Sequence, residues 1–169
     1  MSPTVPVLGK AHLAGPDNRQ LLATGVFYLR GAVCRVTFAS VHGMKRFLDF
    51  YLDEADDTMA VLLHLTRQGE EFPSANLRFQ INRRHQVAAA VLIATDKHGR
   101  NHSWMTQGQA GRDDVALAHD SWNPGETAFP PDSFITIAEL LALLPQWVFD
   151  DVLPPSAVRW IAGPDIGWS

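Results

Sequence analysis

A chain of 169 residues, 46% hydrophobic and 19% charged, has the size and balance of one globular domain able to bury a substantial core. The formal charge of -4 hides an asymmetry: residues 1–108 carry 12 Lys or Arg against 9 Asp or Glu (+3), and residues 109–169 carry 2 against 9 (-7). An acidic last third repels nucleic acid and favours a basic partner, and no apolar run approaches the roughly 20 residues that span a bilayer, so direct nucleic-acid binding and a membrane helix are both excluded as expectations.

Residues 1–24 are expected to form a partly ordered arm ahead of a single domain over 25–169. Prolines interrupt the start, MSPTVP, where a signal peptide needs an unbroken apolar stretch, so the expected location is cytoplasmic. Gly25–Arg30 and Val33–Phe38 read as two strands broken at Gly31-Ala32. Cys34, the single cysteine, excludes an internal disulfide or a cysteine zinc cage and is expected to pack as a small apolar residue. Val41, Met44, Phe47, Leu48, Tyr51 and Leu52 recur at helical spacing behind Ser40, a fitting N-cap. That helix runs into Asp53, Glu54, Asp56 and Asp57, where its dipole prefers cations, so the cluster is a candidate for meeting a partner or simply a solvated end.

Met59–Thr66 reads as a central strand, with His64 a core or face histidine. Asn76–Asn82 alternates, with Leu77, Phe79 and Ile81 on one face and Arg78 and Gln80 on the other. His85–Thr95 reads as a longer, more buried strand, and Asp96–Gly99 as the turn before Asn101–Thr106. The result is an α+β fold: a mainly antiparallel sheet of about five to seven strands with two principal helices packed on one face.

Between Gln107 and Pro131 the chain turns to glycine, aspartate, proline and tryptophan, with short pairing segments expected at Val115–Ala118 and Gly125–Phe129. Loops on a rigid sheet carry recognition residues, and an aromatic side chain within a polar rim suits an interface hot spot. Asp113, Asp114, Asp120 and Trp122 are therefore candidate partner-binding residues together with Asp56 and Asp57; the other role open to Trp122 is that of a lid folded back on the core. The second helix has a capping box, Thr136 with Glu139, flanked by Ile135 and Leu140. Leu140, Leu141, Leu143, Leu144, Trp147 and Val148 form its apolar face, and Pro145 is expected to kink or restart it. A double-proline turn, Pro154-Pro155, leads to a last strand, Ala157–Ile161, with Trp160 on the sheet.

The unit from Phe129 to Trp160 resembles the C-terminal unit of the type 1 immunity proteins of bacterial polymorphic toxin systems. The pattern extends over residues 36–161: an apolar sheet segment (Ala60–Leu65), a strand pair (Leu77–Ile93), a glycine-rich loop (Gly108–Gly125), a proline-introduced helix start (Pro130–Ile137), and a proline closely followed by tryptophan (Pro155–Trp160). Two departures are an arm before Gly25 longer than the family core needs, and Pro145 within a helix that usually reads unbroken. The resemblance implies a cytoplasmic, non-catalytic protein that occludes a cognate toxin domain, a cytidine or adenosine deaminase acting on nucleic acid, without cofactor or metal. Enzymatic patterns are weak by comparison. His98 and His102 straddle a turn, His119-Asp120-Ser121 are adjacent where a triad draws on separate segments, and Gly108–Gly111 lacks the lysine and helix of a phosphate loop. The alternative function is a small-ligand-binding or assembly subunit without catalysis.

Overall fold

Residues 5–15, 20–57 and 59–165 are described in the computed structural model. In chain order the elements are β1 (Leu8–Gly9), β2 (Leu21–Leu29), β3 (Ala32–Phe38), α1 (Val41–Glu54), β4 (Val61–Arg67), β5 (Ala75–Asn82), β6 (Val87–Thr95), β7 (Asn101–Gln107), β8 (Ile135–Thr136), α2 (Ile137–Phe149), β9 (Val152–Leu153) and β10 (Arg159–Ala162). Among them an antiparallel sheet runs β10-β7-β6-β5-β4-β2-β3, with β8 against the start of β6; β1 and β9 pair apart from it. The α+β fold with a main antiparallel sheet and two helices is as the sequence implies. Among the described residues no helix is long and apolar enough to cross a membrane.

Period-two alternation decides which side of each strand enters which core. Leu63 and Leu65 of β4, Leu77, Phe79 and Ile81 of β5, and Ala88, Ala90, Leu92 and Ala94 of β6 share one cluster with both helices. The helix α1 begins at Ser40, whose hydroxyl accepts from the Gly43 N–H at 3.1 Å, and buries Met44, Phe47, Leu48 and Tyr51. Phe27, Phe38, Phe47, Tyr51 and Phe79 meet there at ring-centroid separations of 4.7–6.1 Å, mostly edge-on or tilted. Val41 and Leu52, expected on this face, are exposed and half-buried respectively.

The capping box is present: Thr136 Oγ1 accepts from the Glu139 N–H at 3.1 Å, and Glu139 Oε2 accepts from the Thr136 N–H at 2.7 Å. Pro145 neither ends nor restarts α2, which is one helix from Ile137 to Phe149. The missing proline N–H removes one bond, but Leu140, Leu143, Leu144, Trp147 and Val148 lie buried on both sides of it, and packing of an apolar face outweighs a single helical hydrogen bond.

The other face of β6, with Val87, Ala89, Val91 and Ile93, packs under Leu117, Phe129 and Phe134. The 107–134 segment is thus partly a lid, where a surface loop was expected. Its expected strand pair contracts to a single bridge, Ala118 with Ala128, extended by His119 N–H to Thr127 O at 3.0 Å and Phe129 N–H to Leu117 O at 2.8 Å. Its two ends are pinned together where the Gly108 N–H donates to Asp132 O at 2.9 Å and the Ala110 N–H to Phe134 O at 3.0 Å.

The expected domain start at residue 25 falls inside β2, which begins at Leu21. Of the arm, residues 5–15 are described and lie against the sheet: Leu13 is fully buried and bridges Asp96, and the Trp104 Nε1–H donates to Pro6 O at 2.9 Å. Residues 1–4 and 16–19 of the expected arm lie outside the described residues.

A Cβ at Gly108 would collide with the carbonyl oxygen of Phe134, whereas one at Gly125 would meet nothing within 4 Å. Gly108→Ala is therefore expected to lower the unfolding free energy by about 1–3 kcal/mol and Gly125→Ala to change it by less than about 0.5 kcal/mol, measured by denaturant titration.

Candidate functional site

The lid covers only part of the second sheet face. Beyond it, Val26, Tyr28, Leu62 and Arg78 floor a cleft of about 280 Å³ walled by His119, Asp120, Ser121 and Trp122 of the lid. Leu22, Thr24, Arg35, Thr37, His64 and Thr66, on the same face of β2, β3 and β4, line a second opening of about 370 Å³ bounded by the turn from Gln68 to Glu71.

Trp122 stands at the mouth of the first cleft, 77% exposed yet held. Its ring lies edge-on to Tyr28, centroids 5.9 Å apart, and the Trp122 backbone N–H donates to Asp120 Oδ1 at 2.9 Å. The Ser121 hydroxyl accepts from the Ala60 N–H. Thr127 Oγ1 accepts from the Asp120 N–H at 3.2 Å and lies within donating reach of Asp120 O at 3.0 Å and Asn123 O at 2.7 Å, closing the turn from behind. Of the two roles open to it, Trp122 takes that of an exposed aromatic side chain on a braced turn.

The six candidate residues gather at the end of the sheet where β5 turns into β6, but in unlike states. Asp57 pairs with Arg83 at 2.6 Å, and its backbone carbonyl accepts from Gln80 Nε2 at 3.4 Å. Its carboxylate ties the α1–β4 connection to the β5–β6 turn, so its charge is engaged internally. Asp114 is gripped by Arg112 through bonds of 2.9 and 3.1 Å, with His85 3.9 Å away. The Arg112 bonds hold the Asp114 carboxyl below the usual carboxylate range. Asp56 and Asp113 are exposed, and neither side chain has a partner among the described residues. Asp120 is half-buried beside Arg78.

Sequence reasoning singled out none of Tyr28, Arg35, His64 or His119 for this site, although the alternation of β5 did set Arg78 apart from the core. Burial, then Arg35 and Arg78, depresses the proton affinity of His64; burial and then Arg78 does the same for His119, with Asp120 opposing. Burial lowers Arg78 itself, again against Asp120. Among the described residues His64 Nδ1, Asn76 Oδ1, Arg78 Nε and His119 Nδ1 are buried without a hydrogen-bond partner. By contrast, Cys34 sits half-buried in β3, and His98 and His102 both serve Asp96, through the His98 N–H at 2.9 Å and the His102 ring at 3.0 Å. Comparison with known proteins gives no match: no family model fits the chain, and no curated protein or solved structure is significantly similar to it.

Because His64 and His119 bind protons less readily folded than at the ordinary value of 6.5, the unfolded chain takes up more protons once pH falls below 6.5. Folding stability is expected to decline from there towards the lowered folded-state values, and the His64→Gln/His119→Gln double variant to show a shallower decline in thermal midpoint between pH 7 and 5 (about the span in which histidine titrates).

Proposed function

We propose that the chain is a stoichiometric inhibitor of the immunity type, which binds a cognate toxin domain that deaminates nucleic acid and covers its active site or substrate groove. The observation that carries this reading is Trp122, exposed at a cleft mouth yet fixed by Tyr28 and the Asp120–Thr127 turn. An aromatic side chain ordered before binding costs little entropy to dock, and Asp120 beside it, with the exposed Asp56 and Asp113 elsewhere on the surface, suits a partner that is basic because it handles phosphates. A deaminase must admit a nucleotide to a confined pocket, so steric cover is a sufficient mechanism. The complex would form in the cytoplasm, require no cofactor, and have a dissociation constant on the order of nanomolar, equivalent to about -12 kcal/mol.

Asp57 and Asp114 contribute less in this scheme, since a carboxylate already bonded to arginine offers little net charge. A second reading, a small-ligand-binding subunit, draws support from the unpartnered polar groups on the open sheet face.

Co-expression with the toxin domain encoded beside this chain, followed by size-exclusion chromatography and a deamination assay, tests the proposal. A one-to-one complex with deamination abolished is expected; full toxin activity without co-elution rejects it. Trp122→Ala should weaken the complex by at least about thirtyfold, equivalent to about 2 kcal/mol, at an unchanged melting temperature. Asp113→Lys should slow association and reduce its salt dependence, as read by stopped-flow mixing.

A further inference from the structure

Two rows of side chains cross the open part of the second sheet face. Cross-strand pairing sets Arg35, Val26, Leu62 and Arg78 in one row, and Thr37, Thr24, His64 and Asn76 in the next. Directly opposed residues project from the same face, so the two rows form one continuous floor under both clefts. Thr24 and Thr37 satisfy each other at 3.0 Å. Of the other polar members, the Arg78 Nε donor and His64 Nδ1 have no partner among the described residues; Asn76 Oδ1, also unpartnered, is an acceptor and contributes nothing to holding an anion. Arg35 stands exposed over the same floor without a carboxylate partner among the described residues.

We propose that this floor is a binding site for a single oxyanion, a carboxylate or phosphate group, held between the guanidinium groups of Arg35 and Arg78 over His64. The site lies on the sheet floor beneath the Trp122 turn and extends away from it towards Arg35, and it does not depend on the toxin-binding reading. Guanidinium presents paired donors that match the two oxygens of a carboxylate or phosphate, and a half-buried guanidinium lacking a bonded anion has donor capacity to spare. The cationic stretch is short. Asp120 lies beside Arg78 at one end, and Glu70 and Glu71 line the other, which leaves room for one anionic group and opposes the continuous phosphate track of a nucleic-acid strand.

The histidines give the site a readout. His64 faces Arg35 and Arg78, while His119 faces Arg78 and Asp120; both are held low by burial and by these arginines. An anion placed among them adds attraction for a proton, so both imidazoles should titrate higher in its presence. By linkage the anion then binds more tightly as pH falls.

The test is NMR titration of the His64 and His119 ring protons against inorganic phosphate, succinate and a tetraglutamate peptide at constant ionic strength, with His64→Gln and His119→Gln fixing the assignments. Saturable upward shifts of both midpoints, about one pH unit at full occupancy, are expected. Arg78→Gln should abolish these shifts and Arg35→Gln diminish them, each at near wild-type melting temperature. Response to phosphate or succinate assigns a free small anion as the source, and response to tetraglutamate alone assigns an acidic side chain of a protein partner. Absence of any shift with all three probes, or shifts of undiminished size and affinity in both arginine variants, overturns the proposal; undiminished shifts in Arg35→Gln, at an exposed position, do so alone should Arg78→Gln not fold.

Discussion

The constraint on which the structure depends is that β6 is apolar on both sides. From Val87 to Ala94 every residue is buried, so the strand needs two covers, and the two come from distant parts of the chain. The helices supply one. The other is the lid between β7 and β8, fastened through Thr106, which lies fully buried where the β6–β7 ladder gives out. Its hydroxyl accepts from the Ala90 N–H at 3.1 Å and donates to Ser133 O at 2.8 Å, joining strand and lid through a single side chain. Close backbone approach at Gly108 and Gly111 completes the seal, since a Cβ at either would overlap a carbonyl of the lid. With most of the lid committed to β6, only its turn at 119–122 reaches β2 and β4, and the rest of that part of the face is left open.

Buried polar hubs fix the remaining segments. Asp96, 2% exposed, accepts from the N–H groups of His98 and Arg100 and from the Arg100 and His102 side chains, bonds that hold its carboxyl well below the usual range, with His102 foremost. Its backbone bridges Leu13. Arg67, 3% exposed, donates to Lys10 O at 3.2 Å and Ala14 O at 3.4 Å, and Ser74 Oγ donates to Ala14 O at 2.8 Å. Side chains from β4 and from just before β5 thus satisfy the backbone carbonyls of Lys10 and Ala14. A segment without its own periodicity is built into the fold by groups some 50 residues away in sequence, as the separations of 53 and 57 for the Arg67 bonds show.

Local rules made the longer strands, both N-caps and the inward side of β5 legible in the sequence, because alternation and capping are set by near neighbours. The lid was not, since Val115, Leu117 and Phe129 among glycines and aspartates have no period, and their burial follows from the second face of β6. The site divides in the same way. Trp122 and its carboxylates stand out by residue type in a loop. Tyr28, Arg35, His64 and Arg78 come from four strands whose order, β3-β2-β4-β5, departs from chain order, so no sequence window holds them together. For Asp57 and Asp114 the sequence displays the charge but hides the cancelling arginine, even when, as with Arg112, it lies two residues away.

The polar side of β5 shows where stability ends as an explanation. Asn82 Oδ1 accepts from the His85 N–H at 3.0 Å; Gln80 accepts from the Ala118 N–H and donates to Asp57 O, binding lid and α1–β4 connection to the sheet. Those two residues are architectural. Two and four positions before Gln80, Arg78 and Asn76 point to the same side of the same strand, half-buried and buried, and keep atoms without partners among the described residues. A buried polar group left unbonded costs about 1–3 kcal/mol, whereas apolar side chains, as on adjacent β6, would cover that floor at no such cost. Packing alone therefore does not account for Arg78, whose Nε keeps a donor that no group among the described residues uses.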